Sequence, residues 1–455
     1  LIIKKGQHVE KIKRKNWWMV IMGTVLFLGA VLVLNDDYKK FLFRQETVLT
    51  IGVFSDSYWE VQNGYSYRIL EDAIALFEKE HEGVKVEYVS GILKENYPEW
   101  LAEQMILGRG PDLFFIFGEH FNDLAEIGAL KDLSKLAERD EDFVQERFYS
   151  SALNCGKYGE RQYALPYECA PKLMFVNKTI LTREGIALPK EDWTWEDFYE
   201  ICKAVTKDTD GNGTPDQFGV VGYTWQDAFH SNGVQLFDGK GTECRLTDEG
   251  AKEAILFMEK LDGLYDGYHV TSRNFDLGNV VFQPMLFSEY RAYKPYPLSI
   301  KKYSGFEWEC IPMPSGRRGA NIAELDTLLL AMNDNTSQTE YAWEFMKLLS
   351  GDERIQSEIF TYSEGVSVIR DVTEADKTLQ LLIDSSGDDN GLNLSVLSSA
   401  VENAVVTPKF RNSKEAVAEV DKAVRDIMEG SSNIGMEQII WNREINNFLK
   451  NRMER

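Results

Sequence analysis

The sequence predicts an α/β fold, and three observations carry that expectation. Unbroken apolar runs of strand length alternate with stretches whose apolar residues recur at helical spacing. The first such segments run in the order strand, helix, strand, helix, strand, which is the order that builds a parallel sheet. The chain has 455 residues, 44% of them hydrophobic, enough for two or three ordinary domains or one large two-lobed body.

Taken in order, TVLTIGVF (residues 47–54) is a strand-length apolar run, followed by the polar aromatic stretch SDSYWEVQNGY. Leu70, Ala73, Ile74 and Phe77 then fall on one helical face, Gly83 stops that pattern, and VKVEYV begins a second strand. YPEWLAEQMILGRG reads as a helix, and PDLFFIFG as a strand buried on both faces. Further on, ALPYECAPKLMFVNK is an extended crossover, WTWEDFYEICKAVTK a helix and FGVVGY a strand. A helix is expected from Glu249 to Leu261, strands at FEWECIPMP and LDTLLLAM, and a helix at YAWEFMKLLS. The C-terminal third reads as mostly helical, with Trp441, Ile445, Phe448 and Leu449 on a shared face.

The N-terminus departs from this pattern. Residues 1–16 form a basic tail containing Lys4, Lys5, Lys11, Lys13, Arg14 and Lys15, and an uncharged apolar run follows from Trp17 to Leu34. A bilayer is spanned by about 20 apolar residues, and flanking basic residues stay in the cytoplasm. The run is therefore expected to be a transmembrane anchor with a cytoplasmic N-terminus, placing all later residues on the extracellular face of the cell membrane. A cleaved signal peptide is the rival reading, although no small-residue cleavage motif stands near Leu34.

With 73 acidic against 50 basic residues, the formal charge is -23. That balance argues against a nucleic-acid partner, since phosphate is bound by neutralising lysines and arginines. Cys155, Cys169, Cys202, Cys244 and Cys310 show no zinc spacing. Cys155 and Cys169 bracket a possible hairpin and could pair in an oxidising compartment, while free buried thiols fit equally well.

The stretch DTDGNGTPDQFG (residues 208–219) places oxygen-bearing side chains at Asp208, Asp210, Asn212 and Asp216, with Gly211 and Gly213 at the sharp turns. Those positions, with the backbone carbonyl of Thr214, supply the oxygen cage of a calcium loop. A sensor loop carries a bidentate glutamate at its twelfth position, where this chain has Gly219. The flanks read as helix and strand, leaving no second helix to swing. The expectation is a structural Ca2+ site. A metal-free turn rich in Asp, Asn and Gly is the alternative.

Three stretches together resemble the extracellular solute-binding proteins of ABC importers, in the group that binds sugars and oligosaccharides. They are GPDLFFIFGEHFNDLAEIGALKDLS, YALPYECAPKLMFVNKTIL and DWTWEDFYEICKAVTKDTDGNGTPDQFGVVGY, and the similarity extends over nearly everything after residue 46. Asn279 stands where many relatives carry a lysine, and VSVIR replaces their usual Leu-Pro. The resemblance implies a periplasmic-binding-protein-like α/β fold of two lobes, each a central sheet flanked by helices, joined by crossover hinge strands near Glu168, Pro312 and Ser367. Residues 46–167 and 313–367 would form the first lobe, and 168–312 with 368–455 the second. Ligand would lie in the cleft, where hinge closure can enclose it.

Sugars stack on aromatic rings and pair their hydroxyls with polar groups, so loops that carry both are the candidates. These are Asp56 and Trp59 after the first strand, Glu119 and His120 after PDLFFIFG, Glu168 at the crossover, and Trp225 with Asp227 after FGVVGY. Ser288, Glu289 and Tyr290 follow FQPMLF, and Glu324 and Asp326 precede LLLAM. For each, core packing or a solvated charge is the competing reading. HExxH, G-x-S-x-G and P-loop motifs are absent, and no catalytic residue is expected. The implied role is a non-enzymatic, membrane-anchored receptor handing a carbohydrate to ABC permease subunits. Alternatives are a membrane-tethered glycoside hydrolase, which needs only two carboxylates, and a ligand-sensing receptor for a membrane signalling partner.

Overall fold

The computed structural model describes Met22 and residues 46–453, apart from 60–64, 66, 266, 293–305, 387–392, 407 and 431–432. The basic tail and all of the expected anchor except Met22 lie outside the described residues. Among the described residues, no helix is long and apolar enough to cross a membrane.

Chain contacts divide the molecule into two units: Leu1–Val48 with Glu78–Val86, and Leu49–Phe77 with Glu87–Arg455. Within the smaller unit, Lys85 Nζ lies 2.7 Å from Glu78 Oε2, and the Thr47 amide donates to the Gly83 carbonyl.

The strands are β1 (Thr47–Gly52), β2 (Val84–Tyr88), β3 (Leu113–Phe117), β4 (Lys157–Tyr158), β5 (Arg161–Gln162), β6 (Ala164–Asn177), β7 (Phe218–Val220), β8 (Val280–Leu286), β9 (Trp308–Ile311), β10 (Leu325–Met332) and β11 (Val366–Ser367). β6 is the spine of the larger unit. Its first part pairs antiparallel with β10, from Ala164 opposite Ala331 to Pro171 opposite Leu325, and with β11, where Glu168 faces Ser367. Its second part pairs antiparallel with β8, beginning with Lys172 opposite Leu286, and with β9 from Met174 onward. The main partner of β6 thus changes between Pro171 and Lys172. β3 adds to β10 antiparallel and β1 to β3 parallel, while β7 adds to β8 parallel.

The sheet is mixed rather than parallel as the opening segments led one to expect. Parallel pairs survive where a helix returns the chain, as in β1 with β3, but β6 and β10 run back between the two half-sheets and so meet their neighbours antiparallel. β3 is buried along its whole length, which explains its unbroken apolar sequence.

The helix after the crossover, Trp195–Val205, starts at a reciprocal cap in which Thr194 and Asp197 satisfy each other's backbone amides. It lies so close to β7 that a Cβ at Gly219 would sit 2.4 Å from the Cβ of Cys202. Glycine is needed there for packing. All five cysteines are free and buried, so the disulfide alternative for Cys155 and Cys169 is not realised in this structure. In the C-terminal helix Ile434–Met453, Ile445 and Leu449 are buried as expected, while Trp441 and Phe448, expected on the same face, are partly exposed.

Candidate functional site

The polar groups of the candidate site gather where β6 exchanges partners. Fully paired strands leave no solvent-facing backbone, so only side chains can supply polarity here. Every residue of β6 is buried except Lys172, which is partly exposed. Its ammonium lies 3.0 Å from Asp227 Oδ1 and 4.0 Å from Glu324 Oε2. Burial opposes the Lys172 charge, yet Asp227 and Glu324 hold its pKa above the usual lysine value. Asp227 is 1% exposed. It is also the third helical residue of Trp225–Ser231, where its Oδ2 accepts from the amide and hydroxyl of Thr224. Asp227 is therefore used internally, and its carboxylate holds Lys172 and caps a helix.

Asp326 stands inside β10, opposite Ala170, not in a loop before it. It accepts a 2.8 Å hydrogen bond from the Tyr58 hydroxyl. Burial raises its pKa and, together with Asp326, raises that of Tyr58 well above the ordinary tyrosine value. Burial likewise raises Glu324, with Lys172 opposing. Lys409 faces the same group: burial lowers its pKa, and Asp326 and Glu324 oppose the shift. Glu119 lies in the first turn of the helix Gly118–Glu126, with a 2.5 Å hydrogen bond from Lys414 that lowers its pKa. His120 Nε2 is 3.4 Å from Glu119 Oε1.

Glu168, also inside a strand, sits beside a register shift between β6 and β10. It is 4% exposed, and Ser363 donates to its Oε2 at 2.5 Å. Burial pushes its pKa up to about 7, against the lowering effect of Ser363, Trp59 and Arg291. Arg291 is itself buried and donates to the carbonyls of Gly365 and Phe360 at 2.5 and 2.8 Å, closing off the C-terminal end of the helix Glu353–Tyr362. A small recess beside Glu168 is lined by rings that include Tyr58, Tyr65, Tyr67, Tyr167 and Tyr362. Asp56 also borders it, with a left-handed backbone (φ 77) and its carboxylate accepting from the Ser57 amide.

The structure thus brings Glu168, Asp227, Glu324 and Asp326 into one region, with Glu119 close enough to act on Tyr58 and Glu289 on Lys172. It does not bring the aromatics to an open face. Trp59 is 5% and Trp225 7% exposed, and the Trp225 indole donates to Asp421 at 3.1 Å. These two are packed rings here, the reading that competes with a stacking platform. Tyr290 packs on Phe175, Phe287 and Trp308, Ser288 is buried, and Glu289 accepts from the Leu286 amide. Tyr58, Lys172, Arg291 and Lys409 were absent from the sequence candidates. A lysine inside an otherwise apolar strand was the signal for Lys172.

At the acidic loop, carboxylate oxygens of Asp208, Asp210 and Asp216 lie within 4.8 Å of one another. Asp208 accepts from the amides of Gly211 and Gly213 at 2.7 and 2.6 Å, and those of Gly213 foremost lower its pKa. Gly211 and Gly213 have φ of 78 and 90, a left-handed conformation that favours glycine. The side-chain carbonyl of Asn212 accepts from the Thr214 amide at 2.9 Å. Three converging carboxylates suit a hard cation. The twelfth position, Gly219, lies within β7 and has no side chain to add.

Comparison with known proteins gives a consistent family. The model of the family described as bacterial extracellular solute-binding protein matches residues 62–354. A galactooligosaccharide-binding protein of Bacillus subtilis is 26% identical over 212 residues, covering 43% of this chain and 45% of that protein. The chain thus matches somewhat less than half the length of that relative. Among solved structures, an ABC substrate-binding protein from Listeria monocytogenes in complex with cycloalternan has a TM-score of 0.65 at 19% identity, covering 89% of this chain and 99% of its own. A cyclic alpha-maltosyl-1,6-maltose binding protein from Arthrobacter globiformis has a TM-score of 0.73 at 13% identity, with 89% and 99% coverage. Identities this low speak to the shared fold.

Proposed function

The chain belongs to the bacterial extracellular solute-binding protein family, and from that premise we propose that it captures a carbohydrate as the receptor of an ABC importer. The observation that carries the proposal is the group of Lys172, Glu324, Asp326 and Tyr58 where β6 changes partners. A sugar hydroxyl both donates and accepts, and this group offers carboxylates, an ammonium and a phenol within one polar patch set among buried strands.

In this reading the two half-sheets belong to two lobes, divided as the sequence suggests at residues 168, 312 and 367, and ligand favours closure by touching both. Permease subunits then receive the solute. The apolar run Trp17–Leu34 tethers the receptor to the membrane, and a Ca2+ held by Asp208, Asp210, Asn212, Thr214 and Asp216 pins the turn between helix and strand. The bound sugar is released unchanged. A tethered hydrolase would consume it.

The test is thermal shift across a panel of oligosaccharides, peptides and polyols. Stabilisation by one or more oligosaccharides, dependent on their concentration, is expected. Stabilisation by peptides alone would move the proposal to a different solute class.

A further inference from the structure

The charges around β6 differ in exposure. Lys172 has a side chain 19% exposed and lies 4.0 Å from Glu324, whose side chain is 34% exposed. Asp227, 3.0 Å from the same ammonium, is buried. Asp326 is held by Tyr58, and Glu119, 48% exposed in its side chain, is paired with Lys414 at 65%. Glu324 is thus more accessible than Lys172, which already answers two carboxylates, and Lys409 faces both Glu324 and Asp326.

We propose that this difference makes the site select by charge, with Glu324 as the residue that turns away anionic sugars and Lys172 as the residue that holds it in place. The proposal rests on the carbohydrate reading and narrows it to neutral and amino sugars. A uronate or sugar phosphate brings a further negative charge into a partly desolvated region, where like charges repel more strongly than in water. A neutral sugar instead donates its hydroxyls to the Glu324 oxygens.

The experiment is a calorimetric titration of the full chain with neutral oligosaccharides, namely maltotetraose, cellotriose and galactotriose, and with trigalacturonate as the acidic counterpart of galactotriose. At low salt, trigalacturonate should bind at least tenfold more weakly than the best neutral sugar. That gap should narrow at high salt as charges are screened, an effect that simple loss of fold would not produce. In Glu324→Gln, which keeps the shape of the side chain, the ratio of trigalacturonate to neutral affinity should rise at least fivefold. Lys172→Met should lower it instead. Trigalacturonate binding as tightly as the neutral sugars in the unaltered chain, or a ratio unmoved in Glu324→Gln, overturns the charge proposal alone. Binding of none of the four sugars overturns the carbohydrate reading and this proposal with it.

Discussion

Lys172 Nζ lies 3.0 Å from Asp227 Oδ1, joining the point where β6 changes partners to the first turn of the helix Trp225–Ser231. One residue of this pair is nearly inaccessible and the other partly so, which fixes what its loss should do.

Lys172→Met should destabilise the protein by about 3 kcal/mol, because it strands a buried carboxylate without its cation. Lys172→Met with Asp227→Asn should recover part of that loss, since the amide keeps its helix-capping oxygen and removes the orphan charge. Urea unfolding of both variants checks this. Equal instability of the single and double variants would show that the ion pair is not the cause.

Glu168 gives a pH signature with a definite sign. Its pKa rises from 4.5 to about 7 on folding, so between those values the folded state holds a proton that the unfolded chain has released. Stability from this group is full below about pH 4.5 and is lost as pH rises to about 7, a change of about 3 kcal/mol. Glu168→Gln should flatten that slope, leaving the part due to other carboxyl groups that burial raises, Glu358 to about 7 and Glu324 and Asp326 in the same direction. Denaturant midpoints measured from pH 5 to 8 decide it, and parallel curves for both proteins would count against a buried, protonated Glu168.

Gly365 should not tolerate a methyl group. A Cβ there would lie 2.4 Å from Glu168 Oε2 and 2.9 Å from Trp59 Nε1. Gly365→Ala is expected to cost about 1–3 kcal/mol through overpacking. A melting temperature unchanged from the parent would mean that these side chains do not meet at Gly365.

Asp210→Ala should lower the melting temperature measured in calcium more than it changes ligand preference. Chelation should lower the parent's melting temperature as well. An unaltered melting curve with chelator removes the structural role of calcium.

Much of the fold was legible because strands buried on both faces must be apolar throughout, as in LFFIF of β3, and because helical spacing of apolar residues marks one buried face, as with Leu70, Ala73 and Phe77. Strand direction was less legible, since it depends on which distant segment β6 meets. The site was harder still. Asp227 is a good capping residue by sequence alone, and nothing local says that its second oxygen holds Lys172. Trp59 and Trp225 carry the composition of a stacking platform, but their burial is decided by neighbours far along the chain, including Asp421. Tyr58 looked like one more aromatic until β10 brought Asp326 to its hydroxyl.

The most direct measurement is a titration with the best-binding sugar of the panel, followed by mass analysis of the recovered sugar. Saturable binding at one site, an intact sugar and at least tenfold weaker affinity in Glu324→Ala are the results this account predicts. Cleaved sugar, or an affinity that Glu324→Ala leaves untouched, would contradict it.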